Sequence, residues 1–325
     1  MSSERPPPSG TAPGGGLQDK LSAFLPGIAP RKEVPPDMTG KTALITGGPM
    51  GIGYEIARAF LKVGARVILV NRKQEQGDLA IKQFKEEIGD EIDVTWIGCD
   101  LGNLRQTKEI FDKIASDEKR MDVLICSAGI NVNTYREDAD GIDGHFGVNW
   151  LGHFLVVNTL YPLMRKTSKE SKEPPRIVFE SSEMHKMAPD DVRFESLEEL
   201  NNDKLSPAEL YGRTKLAVHP GMVGTEMQEQ WDSYGALGKY VLKPVMFFAG
   251  RSPEQGSYSG IYAATSPEIV EKNWNGFYFD DPASIGSESD QAKDEQLQKK
   301  LWYLSTQLIK QKLGPNALKA WESEA

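Results

Sequence analysis

Cysteine is nearly absent: Cys99 and Cys126 are the only two thiols in 325 residues, and both stand at the ends of apolar runs. A disulfide framework is therefore excluded as the organising feature, and each thiol fits a small buried side chain at a strand end. Histidine is scarce as well. His145, His153, His185 and His219 share no spacing with Cys, Asp or Glu of the kind that builds a zinc site, so no metal is expected. A basic surplus is missing too: 38 Lys and Arg face 47 Asp and Glu, a formal charge of −9. That balance speaks against a nucleic-acid or anionic-membrane partner, and it serves solubility in any case. Long apolar runs are also lacking. The least charged stretch, residues 144–164, carries Asn149, His153, Asn158 and Pro162, and suits a buried helix better than a transmembrane segment. The start, MSSERPPPSGTAPGGG, has no charged-then-apolar signal architecture and too few arginines for a transit peptide. A cytoplasmic protein is the expectation, with a mitochondrial one as the alternative.

What is present begins after a Pro-, Gly- and Ser-rich arm over residues 1–37, whose composition predicts disorder. From Lys41 short apolar runs alternate with helical periodicity. TALIT (42–46), RVILVN (66–71), DVTWIGC (93–99), VLICSA (123–128) and RIVFES (176–181) are predicted strands. Between them, sets such as Ile52, Ile56, Phe60 and Val63, or Ile110, Phe111 and Ile114, recur at helical spacing. Near-continuous β-branched runs mean strands covered on both faces. Repeated strand–helix–strand units with right-handed crossovers predict an α/β fold: a single doubly wound parallel sheet of the Rossmann type, over residues 38–313. GFYF (276–279) is a late strand, residues 291–313 a last helix, and 314–325 a tail.

TGGPMGIG (46–53) falls at the junction of the first strand and its helix. There Thr46, Gly47, Gly51, Ile52 and Gly53 would form a phosphate-binding turn. Gly47 permits the turn, Gly51 the close approach of a pyrophosphate and Gly53 tight helix–sheet packing, while the helix N-terminus faces the anion. This context predicts a dinucleotide cofactor. An acid at the end of the second strand would accept from a ribose 2′-hydroxyl; Asn71, Arg72 and Lys73 stand there instead. A guanidinium fork favours a 2′-phosphate, so NADP(H) is expected over NAD(H), unless Arg72 and Lys73 are only solvated charge. Asp100 follows the third strand, where it can meet the adenine edge or cap the next helix. Ser127, Ala128 and Gly129 end the fourth strand with the small side chains that let an adenosine lie against the backbone.

YGRTK places Tyr211 and Lys215 four apart, on one face of a helix. Alone, such a pair is commonly surface decoration; here it follows a parallel strand ending in Ser181 and Ser182, downstream of a dinucleotide turn. Together TGGPMGIG, CSAG (126–129), Asn149 in VNWLGHF, Ser182 in ESSEMH, YGRTK and PGMVGTEM (220–227) resemble the short-chain dehydrogenase/reductase family, in order, from about Met38 to Leu313. SSEMH, VNWLGHF and QAKDEQLQKKLW are similar to its retinol dehydrogenase and WW-domain oxidoreductase branch. The resemblance implies that Tyr211 donates a proton to a carbonyl oxygen as hydride arrives from the cofactor. Lys215 would lower the phenol pKa and hold the nicotinamide ribose, Ser182 (with Ser181 as its competitor) would orient the oxygen, and Asn149 would hold water behind Lys215. Pro220, Gly221 and Thr225 would contact the cofactor. The family often has Asn at Ser127, and a basic residue or Asn where Pro49 and Met50 stand. The bulky apolar YVLKPVMFFAG (240–250) would line a pocket or simply pack a helix; in a pocket it implies a lipophilic alcohol, aldehyde or ketone.

One departure from the resemblance is large. Between the family's lysine and its Pro-Gly turn, helix and strand together need about 26 residues. Here Leu216, Ala217, Val218 and His219 alone intervene. Part of the active-site helix and the sixth strand are expected to be missing, with a shortened dimer face and a fifth strand left open. GFYF would lose its neighbour or move inward to the fifth strand. Such a chain is either an incomplete gene reading or splice form of an active enzyme, or a cofactor-binding scaffold with impaired turnover.

Overall fold

The structure is a computed structural model that describes residues 30–171, 173–216, 251–286 and 288–321. β1 (Thr42–Thr46) is buried along its whole length, because every side chain of TALIT meets another layer. It is followed by α1 (Gly51–Lys62), β2 (Arg66–Asn71), α2 (Gln74–Ile88), β3 (Val94–Gly98), α3 (Leu104–Asp117) and β4 (Val123–Cys126). The five strands, ending with β5 (Arg176–Phe179), form one parallel sheet of order β3-β2-β1-β4-β5. β1 lies at its centre, with Ala43 level with Val67 on one side and Val123 on the other. The chain thus reverses its winding direction at β1, and the crevice between the carboxyl ends of β1 and β4 is where such sheets take ligands.

Alternate residues of β1 serve opposite faces. Ala43 and Ile45 pack with Ile56, Phe60, Leu69 and Phe84 beneath α1 and α2. Leu44 packs with Ile68, Phe111, Leu124, Val156 and Leu160 beneath α3 and the long helix α4 (Gly152–Glu170). A fully buried Phe or Ile contributes about 1.5–3 kcal/mol, so these two layers hold the sheet rigid. β3 is only half-buried throughout, the state of an edge strand rather than one covered on both faces.

Helix starts follow local chemistry. Asn103 caps α3 by accepting from the Gln106 N–H at 3.0 Å. Ser206 and Glu209 form a reciprocal capping box with Pro207 in the first turn, which starts α5 (Pro207–Thr214). Ser252, Pro253 and Gln255 repeat that pattern at α6 (Pro253–Thr265). GFYF contributes only its last residue to a strand: β6 (Phe279–Asp281) pairs antiparallel with β7 (Ser284–Ile285) in a separate ribbon. Of the two fates expected for it, pairing with β5 is not the one adopted, and β5 ends the sheet among the described residues. The junction after Ala217, with Pro220, Gly221, Thr225 and residues 240–250, lies outside the described residues.

The last helix, α7 (Glu295–Leu313), ends at Gly314, and the chain then folds back on the domain. Asn158 donates to the Lys319 carbonyl at 3.0 Å and accepts from its N–H at 2.8 Å, while Trp321 lies 4.7 Å from Trp302. Residues 314–321, expected as a tail, are therefore part of the packed body.

Candidate active site

The turn after β1 is shaped by contacts that only glycine allows. Gly47 has φ of 69°, and a Cβ there would lie 2.9 Å from Ala128 Cα. A Cβ on Gly53 would lie 2.6 Å from Gly47 O, so α1 is drawn hard onto the turn. No side chain caps α1 at Met50 and its first turn has no acid, which leaves oriented N–H groups for an anion. Gly51 and Ile52 open that helix. This cradle fits the pyrophosphate of a dinucleotide.

Thr46 ties the turn to the rest of the site. Its Oγ1 accepts the N–H groups of Ser127 at 3.0 Å and Ala128 at 3.1 Å. His153 continues the network: Nδ1 lies 3.0 Å from Asn149 O and Nε2 2.8 Å from Thr46 Oγ1. A carbonyl only accepts, so Nδ1 carries the proton and Nε2 accepts from the threonine hydroxyl. Asn149 lies in a π-helical turn (Gly147–Leu151) before α4; its Oδ1 accepts from Ile130 N–H at 2.7 Å. Its Nδ2 donates to Ile130 O at 2.9 Å and to Thr214 Oγ1 at 3.1 Å. The amide is thus satisfied by the Ile130 backbone and by Thr214, the residue beside Lys215.

At the adenosine side, Arg72 and Asp100 form an exposed ion pair at 3.6 Å across the ends of β2 and β3. Asp100 also accepts from Gly102 N–H at 3.0 Å, closing the turn before Asn103, so the cap of α3 belongs to Asn103 and not to Asp100.

Tyr211, Lys215, Ser182 and Asn149 come from α5, the end of β5 and the turn before α4. Lys215 is not within the helix: it is the C-cap of α5, with its N–H on Gly212 O at 3.0 Å. Its Nζ lies 5.6 Å from the centre of the Tyr211 ring and donates to Glu180 O at 2.6 Å. A Cβ on Gly129 would stand 3.7 Å from that nitrogen and 3.4 Å from Asn149 Oδ1, so the end of β4 leaves room beside both. Ser181 donates to the Lys215 carbonyl, whereas the Ser182 hydroxyl accepts from the Met184 N–H at 3.3 Å. Burial holds the Tyr211 phenol above its ordinary range, and Ser182 draws it partly back. Burial lowers the Lys215 ammonium to about 8, against the raising influence of the Glu180 carboxylate.

The sequence profile of the short chain dehydrogenase family matches residues 41–191. Retinol dehydrogenase 14 of Homo sapiens is 32% identical over 305 residues, covering 84% of this chain and 87% of that protein. This chain belongs to the short-chain dehydrogenases/reductases. The WW domain-containing oxidoreductase of Gallus gallus is 29% identical over 86% of this chain and 70% of its own length, which supports the same branch. Among solved structures, the Pseudomonas aeruginosa RhlG/NADP active-site complex has the same fold, with a TM-score of 0.52 and 22% identity over 71% of this chain and 91% of that one.

In this short-chain dehydrogenase/reductase, three residues of the site carry no sequence expectation. His153 bridges β1 and α4. Arg213, inside YGRTK, is buried; it donates to Asp143 Oδ2 at 3.2 Å and to the carbonyls of Glu199 at 3.0 Å and Leu200 at 2.6 Å, which pins α5 in place. Glu180 is a buried acid at the end of an otherwise apolar strand. For His153 and Glu180 the sequence signal was a polar residue beside apolar ones; Arg213, between Gly212 and Thr214, had none.

No helix among the described residues is long and apolar enough to cross a membrane. They hold no cluster of His, Cys, Asp and Glu fit for a metal ion.

Proposed function

We propose that this enzyme uses NADP(H) to interconvert a lipophilic alcohol and its aldehyde or ketone, in the cytoplasm, with Tyr211 as the proton donor and acceptor. The observation that carries the reading is the convergence of Ser182, Tyr211 and Lys215 on the carboxyl edge of the sheet, beside the glycine turn. Bound nicotinamide supplies or takes the hydride. The chain's own residues handle the proton and the oxygen. The buried phenol stays protonated at neutral pH and donates to the carbonyl oxygen as negative charge develops there. Ser182 orients that oxygen, Lys215 returns positive charge to the phenol and holds the ribose, and Asn149 fixes the turn behind them. Arg72, with no acid at the end of β2, favours the 2′-phosphate; it also pairs with Asp100 at 3.6 Å. Ala128 and Gly129 face the adenosine and nicotinamide, while Pro220, Gly221 and Thr225 would complete the carboxamide side. The lipophilic substrate is inferred from the apolar 240–250 stretch and from the likeness to a retinol dehydrogenase.

The test is turnover of retinoid, steroid and long-chain carbonyl compounds with NADPH and with NADH. Tyr211→Phe should lower kcat about 10²–10⁴-fold with NADPH affinity retained. Equal rates for the variant and the parent refute the assignment.

A second reading, a cofactor-binding scaffold without turnover, is favoured by one observation. The described part of α5 stops at Thr214, and a cavity of about 860 Å³ runs beside β5, lined by Phe179, Trp150, Trp274 and Tyr278, where a shortened chain would leave space. NADPH binding without turnover across the whole panel selects this reading.

A further inference from the structure

The side chain of Glu180 takes no part in the chemistry described above, yet it is placed with care. It leaves the end of β5 toward α1 and α6 and is buried. Its Oε1 has no hydrogen-bond partner among the described residues. The space it fills exists because residue 260 is glycine: a Cβ on Gly260 would sit 2.4 Å from that oxygen and 3.0 Å from Ile56 Cδ1. A carboxyl without a hydrogen bond is costly to bury, and Val or Ile would suit the surroundings better. Two ionisable groups face it: Lys215 from the C-cap of α5 and the buried Cys126 thiol from β4. α1 and α6 bring Ile56 and Gly260 to this point. The backbone of the same residue holds Lys215 directly, through Glu180 O at 2.6 Å.

We propose that Glu180 is a positioning residue, its buried carboxylate acting as the counter-charge that keeps the Lys215 ammonium ionised inside the protein. This rests on the reading that Lys215 serves the cofactor and Tyr211. Among the described residues Lys215 has no carboxylate in hydrogen-bond contact, and its own burial works against its charge. Cys126 does not supply the anion, since burial pushes its thiol well above the ordinary range. Burial likewise raises the Glu180 carboxyl, to about 7, with Lys215 opposing, so the two groups titrate together.

The test is NADPH binding by fluorescence from pH 6 to 9 in the parent, Glu180→Gln, Glu180→Asp and Lys215→Met, each checked for folding by its thermal melt. Titration of NADPH itself is common to all four and cancels. Affinity in the parent should fall as pH rises through the Lys215 titration. In Glu180→Gln that fall should come about one pH unit lower, giving about threefold weaker binding midway between the two midpoints and approaching about tenfold above both. Glu180→Asp, which keeps the charge, should titrate nearer the parent. Coincident profiles for Glu180→Gln and the parent, with Lys215→Met altered, overturn the role of Glu180 alone. A Lys215→Met profile identical to the parent overturns both the role of Glu180 and that of Lys215.

Discussion

His153 offers a thermodynamic test of the network between the cofactor turn and Asn149. It is wholly buried, and its single proton is committed to Asn149 O at 3.0 Å. A second proton would fall on Nε2, 2.8 Å from Thr46 Oγ1, and force that hydroxyl to turn toward Ile125 O at 3.3 Å. Burial is the larger reason that His153 lies at about 4 instead of 6.5; the Lys215 charge adds to it, and the Asn149 carbonyl opposes it. Between those two values the unfolded chain holds a proton that the folded protein does not. Stability from this group is therefore complete above 6.5 and is lost as pH falls toward 4. At about 1.4 kcal/mol per pH unit, the loss across the window is about 3 kcal/mol. Glu180 has the opposite slope, because its raised folded value disfavours the fold as pH rises. That contribution cancels when two proteins share it. The experiment is urea unfolding of the parent and of His153→Gln, which cannot titrate, at intervals from pH 7 to 4. The stability advantage of the parent over the variant should shrink by about 3 kcal/mol across that range. A difference that stays constant with pH would refute the assignment of His153 as a buried neutral bridge.

Three further outcomes follow from named contacts. Arg213→Met leaves Asp143 buried without its guanidinium partner and should cost about 3–5 kcal/mol in urea unfolding, with part of the loss recovered in the Arg213→Met/Asp143→Asn double variant. Gly47→Ala places a methyl against Ala128 at a left-handed position. The backbone cost of about 1–2 kcal/mol and the clash of about 1–3 kcal/mol should weaken NADPH binding at least tenfold by fluorescence titration. Arg72→Ala should weaken NADPH about tenfold while leaving NADH nearly unchanged, in line with about 1.5–3 kcal/mol for a hydrogen bond to a charged group; equal losses for both would mean that Arg72 does not meet the 2′-phosphate.

Much of the fold was legible because its determinants are local. TALIT and RVILVN are strands with the expected bounds, and the glycines after Thr46 mark a turn whose tightness is a property of the missing Cβ atoms. Errors arose where the outcome depends on what lies beside an element. β3 has the apolar residues of a buried strand but occupies an edge, and Phe279 of GFYF pairs with Ile285, six residues on, instead of joining the sheet. Residues 314–321 looked like a tail because nothing in their composition reveals that Asn158 waits for the Lys319 backbone.

The candidate site divides in the same way. Residue types and order alone pointed to a dinucleotide-binding α/β chain and set Tyr211 and Lys215 four apart, because those motifs are written in consecutive residues; Ser182 and Asn149 were added by the family resemblance. The tertiary structure decided what surrounds them. His153 reaches Thr46 across 107 positions and Arg213 reaches Asp143 across 70, so neither contact has a signature in any short window. The same holds for Ser181, whose hydroxyl is taken by the Lys215 carbonyl 34 positions away. Burial is the physical reason: it is a property of everything packed around a group, and it sets the proton affinities of Tyr211, Lys215, His153 and Glu180 only once the layers have closed over them.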